Sequence, residues 1–177
     1  MSHTNVEIKA RCNSADRVRD ALRSRGAVFK GTDRQVDTYF KVKRGRLKLR
    51  EGPIENNLIF YSRNDQAEPK ISEVILYHPS RDPSLKEALV ASLGVLVTVE
   101  KTREIYFIGN VKFHIDVVDG LGNFVEIEAI DKDGTKGKKA LLEQCQEYMR
   151  LLDIGSEDLV SNSYSDMFLL QKNRNPL

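Results

Sequence analysis

The sequence predicts an α+β fold, a closed antiparallel β-barrel with helices packed outside it, on three observations. Charged and apolar residues alternate with period two in segment after segment. Candidate strands outnumber candidate helices and are joined by tight, Gly-containing turns. Each main helical stretch carries one apolar stripe, as a helix laid against a sheet requires.

Taken in order, Thr4 to Arg11 reads as a first strand and Ser14 to Arg25 as a helix, capped by Asn13 or Ser14 and closed by Gly26. On that helix Val18, Ala21 and Leu22 form the inward stripe, with Arg17, Arg19, Asp20 and Arg23 turned to solvent. Ala27 to Lys30 and Gln35 to Lys41 read as strand material broken at Gly31, and Lys43-Arg44-Gly45 as a turn. Arg46 to Glu51, Asn57 to Arg63 and Ser72 to His78 follow as strands. Pro83 to Leu93 reads as a second helix, with Leu85, Ala88, Leu89 and Leu93 on one face and Gly94 as its stop. Val95 to Ile108, Val111 to Val118 and Asn123 to Ile130 are three further strands, turned at Gly109-Asn110 and Asp119-Gly120. Lys138 to Leu152 is a third helix with Leu141, Leu142, Cys145, Tyr148, Leu151 and Leu152 as its stripe, and a short helix is expected at Tyr164 to Gln171. Strand-then-helix stretches begin near Val6 and again near Ser72, the pattern of an internal pseudo-repeat.

Side chains in a strand alternate between faces, so each strand has one apolar face and one charged face. Glu7, Lys9 and Arg11 share a face; so do Arg46, Lys48 and Arg50; Lys101 and Arg103; Lys112, His114 and Asp116; and Glu126 and Glu128. One solvated face of an open sheet produces the same alternation. The sorting of charge favours a lumen that holds a ligand, because basic residues cluster on some strands and a Glu-x-Glu pair stands on another. Carboxylates spaced two apart project side by side and repel unless something positive lies between them, for which a divalent cation is the usual answer. The pattern points to a polyanion and a metal.

The chain has 177 residues, enough for one domain spanning 1–177, and its 40% apolar content can build a core. Lys and Arg number 28 against 26 Asp and Glu, a formal net charge of +2, with no basic tail or acidic block to suggest nucleic acid or a membrane surface. No apolar run reaches membrane-span length and no signal sequence is evident, so a soluble, cytoplasmic protein is expected. Cys12 and Cys145 have no metal-ligand spacing and are expected to be free thiols. No Ser-His-Asp or Cys-His arrangement, phosphate-binding Gly loop or dinucleotide fingerprint is present; His3, His78 and His114 are scattered.

Three stretches carry a resemblance. Asn5-Val6-Glu7-Ile8-Lys9-Ala10-Arg11, then Val99-Glu100-Lys101-Thr102-Arg103-Glu104-Ile105-Tyr106-Phe107-Ile108-Gly109, then Asp116 with Gly120-Leu121-Gly122-Asn123-Phe124-Val125-Glu126-Ile127-Glu128, resemble the CYTH superfamily. These are the triphosphate tunnel metalloenzymes, which include class IV adenylate cyclases and thiamine triphosphatases. Ser163-Tyr164-Ser165-Asp166 is also similar to the family. The resemblance implies an eight-stranded antiparallel tunnel that grips a triphosphate and holds Mg²⁺ or Mn²⁺. It implies Glu7, Glu126 and Glu128 as metal ligands and Lys9, Arg50, Arg63, Lys101 and Arg103 as phosphate contacts. Lys9, Arg103 and Asp116 are the expected catalytic residues, Asp116 by supporting a basic residue or a metal-bound water. By pattern alone Arg63 is a rim residue. The family's first motif usually reads Glu-x-Glu-x-Lys, and here its first acidic position is Asn5, whose amide oxygen keeps a donor but no charge.

Such residue types suit phosphoryl chemistry: Arg forks match phosphate oxygens, Lys supplies point charge, and hard cations prefer carboxylates. Two reactions fit one site. A ribose 3′-hydroxyl attacks the α-phosphorus of ATP and pyrophosphate leaves, or water attacks the terminal phosphorus of thiamine triphosphate or tripolyphosphate. The central and Gly120 segments resemble the cyclase branch most. A non-catalytic polyphosphate or nucleotide binder is the third reading, and the carboxylates argue against it. The expected partner is a small molecule bearing a triphosphate, without nucleic acid or membrane, and a homodimer is compatible with the sequence.

Overall fold

The computed structural model describes residues 2–63 and 68–174. Its elements run β1 (Ser2–Arg11), α1 (Ala15–Ser24), β2 (Val28–Phe40), β3 (Arg46–Glu51), β4 (Asn57–Arg63), β5 (Lys70–Tyr77), α2 (Pro83–Leu93), β6 (Val95–Ile108), β7 (Val111–Val118), β8 (Gly122–Asp131), α3 (Gly137–Leu151), a 3₁₀ turn at Ser156–Asp158 and α4 (Tyr164–Arg174). The strands close into a barrel in the order β1-β5-β4-β3-β2-β6-β7-β8, each antiparallel to its neighbours. Exchanging each of the first four strands with the one four places later leaves this cyclic order unchanged apart from its direction. Because α1 follows β1 as α2 follows β5, the pseudo-repeat seen in the sequence is also present in the topology.

Packing against helices decides which face of each strand turns outward. Val6, Ile8 and Ala10 of β1, Val111, Phe113 and Ile115 of β7, and Val125, Ile127 and Ala129 of β8 form one buried cluster with Val18 and Leu22 of α1 and Leu141 and Cys145 of α3. The principal core therefore lies between the barrel wall and its helices. Helix α1 starts at Ser14, whose side chain accepts from the Arg17 N–H, and carries Asp16 in its first turn and Arg23 in its last, charges that suit its dipole.

Three local expectations change. Strand β2 is continuous through Gly31: the pairing with β6 slips between Phe29 and Gly31, so the glycine forms a bulge and not a break. Its φ of 133° is open to glycine, and a Cβ there would stand 2.7 Å from Ile54 Cδ1. Arg19 is not turned to solvent but forks onto Glu104 of β6, with contacts of 2.6–3.1 Å, and Tyr106 donates to the same carboxylate at 2.8 Å. Helix α2 buries no residue fully: Leu85, Leu89 and Leu93 are half-buried and Ala88 is exposed. It lies against β2, and none of its residues joins the buried clusters that α1, α3 and α4 form with the sheet.

Among the described residues no helix is long and apolar enough to cross a membrane. Cys12 and Cys145 are both buried free thiols. Phe113 is fully buried beneath α3 and meets the Tyr148 ring edge-on at 4.8 Å. Phe113→Ala should therefore lower unfolding stability by about 3–5 kcal/mol in urea titration; a loss below about 1 kcal/mol would show that α3 does not seal this face.

Candidate functional site

The inner faces of the strands line a cavity of about 560 Å³. At one end Tyr39, Val97, Val99, Val118 and Phe124 pack with Tyr164 and are backed by Met167, Phe168 and Leu169 of α4. Lys70 ties down the chain leading into α4 by donating to the carbonyls of Val160 and Ser161, and Arg46 pairs with Asp166 at 2.8 Å. The lumen is therefore a cup with α4 at its base. The opposite mouth is lined by His3, Phe107, Lys112, Ile130 and the β3–β4 loop.

Inside, Lys9, Lys48, Arg50, Lys101, Arg103 and Lys112 each meet a carboxylate. Asp37 of β2 is the densest centre: Arg50 forks onto it at 2.8 and 2.9 Å, and Lys48 and Lys101 donate at 3.0 and 2.6 Å. Burial alone would raise the Asp37 carboxyl, but Arg50 and Lys101 outweigh it and hold it well below the usual carboxylate range. Asp116 takes both Arg103 contacts, at 2.7 and 2.5 Å, and the Tyr164 hydroxyl at 2.8 Å. Glu126 gathers Lys9 at 3.1 Å, Arg103 at 2.7 Å and His114 Nδ1 at 3.0 Å. Lys9 also stands 3.7 Å from the Tyr164 ring centroid, so the base helps to aim it. Burial, with Arg103 and Lys112 nearby, pushes His114 down to about 4. The ring is thus neutral at pH 7, and Nδ1 carries the proton it donates to Glu126.

Glu7 and Glu128 are directly paired across β1 and β8, as are Lys9 and Glu126. Both Glu7 and Glu128 line the cavity. Asn5 donates its amide to Glu128, and its own Oδ1 is buried without a hydrogen-bond partner. Two carboxylates directly opposite each other repel, and beside them is an orphaned oxygen. This donor set fits a hard divalent cation. Among the described residues no three His, Cys, Asp or Glu side chains form a metal cluster.

The expected site residues converge. Glu7, Lys9, Arg50, Arg103, Glu126 and Glu128 line the cavity, and Asp116 lies fully buried behind Arg103. Lys101 faces inward but is covered, with Asp37 between it and Lys48. Arg63 ends β4 opposite Ser72, and its side chain lies outside the described residues. The Glu126-x-Glu128 pair is relieved by Lys9, Arg103, His114 and Asn5, so the pair by itself does not require a metal. Sequence reasoning missed Asp37 and the loop residue Glu55, which accepts from Arg50, Gln35 and Lys112. Asp33, Gln35, Asp37 and Tyr39 alternate as clearly as any strand in the chain. Gln35, Asp37 and Tyr39 lie within the expected Gln35–Lys41 strand, and continuity of β2 through Gly31 adds Asp33 to the same face.

A closed barrel with a cationic lumen and facing carboxylates is the arrangement the motifs implied, and the CYTH domain family model matches residues 3–164. The chain belongs to the CYTH family. CYTH proteins include adenylate cyclase-like enzymes and triphosphatases and are metal-dependent. A Methanocaldococcus jannaschii protein named as a candidate adenylate cyclase is 27% identical over 173 residues, covering 92% of this chain and 97% of that one. The PH1012 protein of Pyrococcus horikoshii superposes with a TM-score of 0.75 at 25% identity, covering 92% and 98% of the two chains. A Hippeastrum protein described as a candidate adenylyl cyclase with a dominant triphosphatase activity shares the fold, with a TM-score of 0.63 at 15% identity over 97% and 96%.

The CYTH lumen has a pH signature of its own. Burial pushes Lys101 down to about 7, helped by Arg50, Arg103 and Lys48 and opposed by Asp37. An unfolded lysine keeps its proton to about 10.4, so between about pH 7 and 10 the unfolded chain binds more protons and stability rises with pH. Relative to Lys101→Met, the wild type should gain about 1 kcal/mol per pH unit between roughly pH 7 and 9, read by urea titration. Parallel curves would show that Asp37 keeps Lys101 charged.

Proposed function

We propose that this CYTH protein binds the phosphate chain of an organic triphosphate in its cup and turns it over in a metal-dependent reaction, with ATP converted to cyclic AMP and pyrophosphate as the leading case. One observation carries the reading: Lys9, Lys48, Arg50, Arg103 and Lys112 face the same cavity as the directly opposed Glu7 and Glu128. A nucleoside triphosphate brings close to four negative charges, which such a wall neutralises. On β4 and β5, Ile59, Tyr61, Val74 and Leu76 turn into the cavity beside Asn57 and Ser72, a largely apolar patch suited to a base rather than to a bare phosphate chain. The archaeal relative named for adenylate cyclase activity supports the cyclase assignment.

In this reading Lys9, Arg50 and Arg103 hold phosphate oxygens, Lys101 supports them through Asp37, and Arg63 is assigned the same phosphate role from the family resemblance alone. Asp116 fixes the Arg103 fork from behind. Glu7 and Glu128 would hold Mg²⁺ or Mn²⁺, with Asn5 Oδ1 beside them and Glu126 as the third carboxylate. The bound ion would neutralise charge on the phosphates and the leaving group. For cyclisation the ribose 3′-hydroxyl gives up its proton to water, its oxygen bonds to the α-phosphorus, the bond from that phosphorus to the bridging oxygen breaks, and pyrophosphate departs with that electron pair. The residues orient this step by gripping the leaving pyrophosphate and preventing its recoil.

Hydrolysis of thiamine triphosphate or tripolyphosphate is the second reading. It is favoured by His114, whose Nε2 is buried without a partner and is free to accept a hydrogen bond from water. Product analysis with ATP, GTP, thiamine triphosphate and tripolyphosphate separates the two: cyclic AMP with pyrophosphate supports the cyclase, and release of orthophosphate supports the hydrolase. Turnover that a chelator leaves unchanged would overturn the metal role, and binding of all four without turnover would make the protein a binder. Glu126→Gln keeps the side chain's shape and should cut turnover by about two orders of magnitude or more while circular dichroism and melting show a folded protein. Wild-type turnover in that variant would remove Glu126 from the site.

A further inference from the structure

Most carboxylates of the cup stand on barrel strands, where they cannot leave without unmaking the sheet. Glu55 does not. It sits on the loop between β3 and β4, at the mouth, and its carboxylate takes Arg50 Nη1 at 2.8 Å, Gln35 Nε2 at 3.0 Å and Lys112 Nζ. Arg50 and Lys112 both line the cavity. The loop's backbone is pinned by contacts that do not involve this carboxylate. Asp33, fully buried, accepts from the N–H groups of Ile54 and Glu55 at 3.0 and 2.9 Å. Arg81 donates from outside to the carbonyls of Gly52 and Pro53 at 2.8 and 3.0 Å. Close approach of the loop to Asp33 needs Gly52, where a Cβ would stand 2.7 Å from Asp33 Oδ2.

An anion held by two or three cationic or amide donors at the entrance of a cationic cup presents the same chemistry as a phosphate group. We propose that Glu55 is a built-in competitor for the phosphate wall, holding Arg50 and Lys112 until a phosphate of the substrate takes them over, and so setting how much charge a ligand must bring to be retained. The proposal rests on the triphosphate reading and deepens it by naming a specificity-determining residue. Rotation about the Glu55 side-chain bonds would carry the carboxylate towards solvent without moving the pinned backbone. A triphosphate can displace it because it offers several oxygens to the same donors together with further contacts at Lys9 and Arg103. A ligand carrying one charge only exchanges one anion for another.

The test is tripolyphosphate binding by titration calorimetry with metal chelated, for wild type, Glu55→Gln and Glu55→Ala. Removing the competing charge should tighten binding about tenfold in both variants, whereas a residue that merely braces the loop would weaken binding or leave it unchanged. The melting temperature of the variants without tripolyphosphate should fall, since Lys112 and Arg50 lose a counter-charge, and tripolyphosphate should raise it by more than in the wild type. Wild-type binding with no gain in either folded variant overturns the role of Glu55 alone. No binding by any of the three, with metal chelated and again with Mg²⁺ restored, overturns the triphosphate reading and the competitor with it.

Discussion

Opposite charges paired inside the barrel are the constraint on which the rest of the structure depends. The lumen holds Lys9, Lys48, Arg50, Lys101, Arg103 and Lys112 at side-chain exposures of 13% or less. Isolated charges at such depth would cost several kcal/mol each, so each must meet a carboxylate at contact distance. Asp37, Asp116, Glu126 and Glu55 meet that need, and every one of them serves at least two partners. Arg50 bridges Asp37 and Glu55 and Arg103 bridges Asp116 and Glu126, so removing Asp37 would leave Lys48 and Lys101 without a carboxylate while the shared arginines couple the remaining members of the lumen to one another.

A charged interior of this kind contributes little net stability, because desolvation cancels much of the attraction. Stability has to come from somewhere else. It comes from the apolar cluster outside the wall, where the outer faces of β1, β7 and β8 meet α1 and α3. That division of labour lets the inner face answer to chemistry and the outer face to packing. Tyr164 joins the two ends of the arrangement: its ring packs on Phe124 in the base of the cup, while its hydroxyl donates to Asp116 and its face receives Lys9. The Ser163-Tyr164-Ser165-Asp166 segment therefore takes part in the site from the far end of the chain.

Much of this was legible in the residues before any coordinates. Val6, Ile8 and Ala10 against Glu7 and Lys9 state a two-faced strand, and the same phase in Arg50, Lys101, Arg103 and Glu126 places all of them inside. The strands were legible because alternation is a local property with a period that only a strand satisfies. Arg19 was not, since its partner Glu104 lies 85 residues away on the outer wall. Asp37 stood inside the expected Gln35–Lys41 strand but is a lone acid there, and only the pairing of β2 with β3 and β6 brings Arg50 and Lys101 to it. Helix α2 shows the converse error: a well-formed apolar stripe does not state how much surface will be there to receive it.

Sequence by itself determined which residues form strands and which of them share a charged face, because both follow from side-chain type and spacing along one strand. Only the tertiary structure decided which cation meets which carboxylate. Glu7 faces Glu128 and Lys9 faces Glu126 through the β1–β8 register, and Arg50 meets Lys101 at Asp37 because β2 lies between β3 and β6. The base of the cup and the carboxylate at its mouth were likewise decided in three dimensions. Both depend on where α4 and a five-residue loop dock, and docking is set by closure of the barrel rather than by any pattern within those segments.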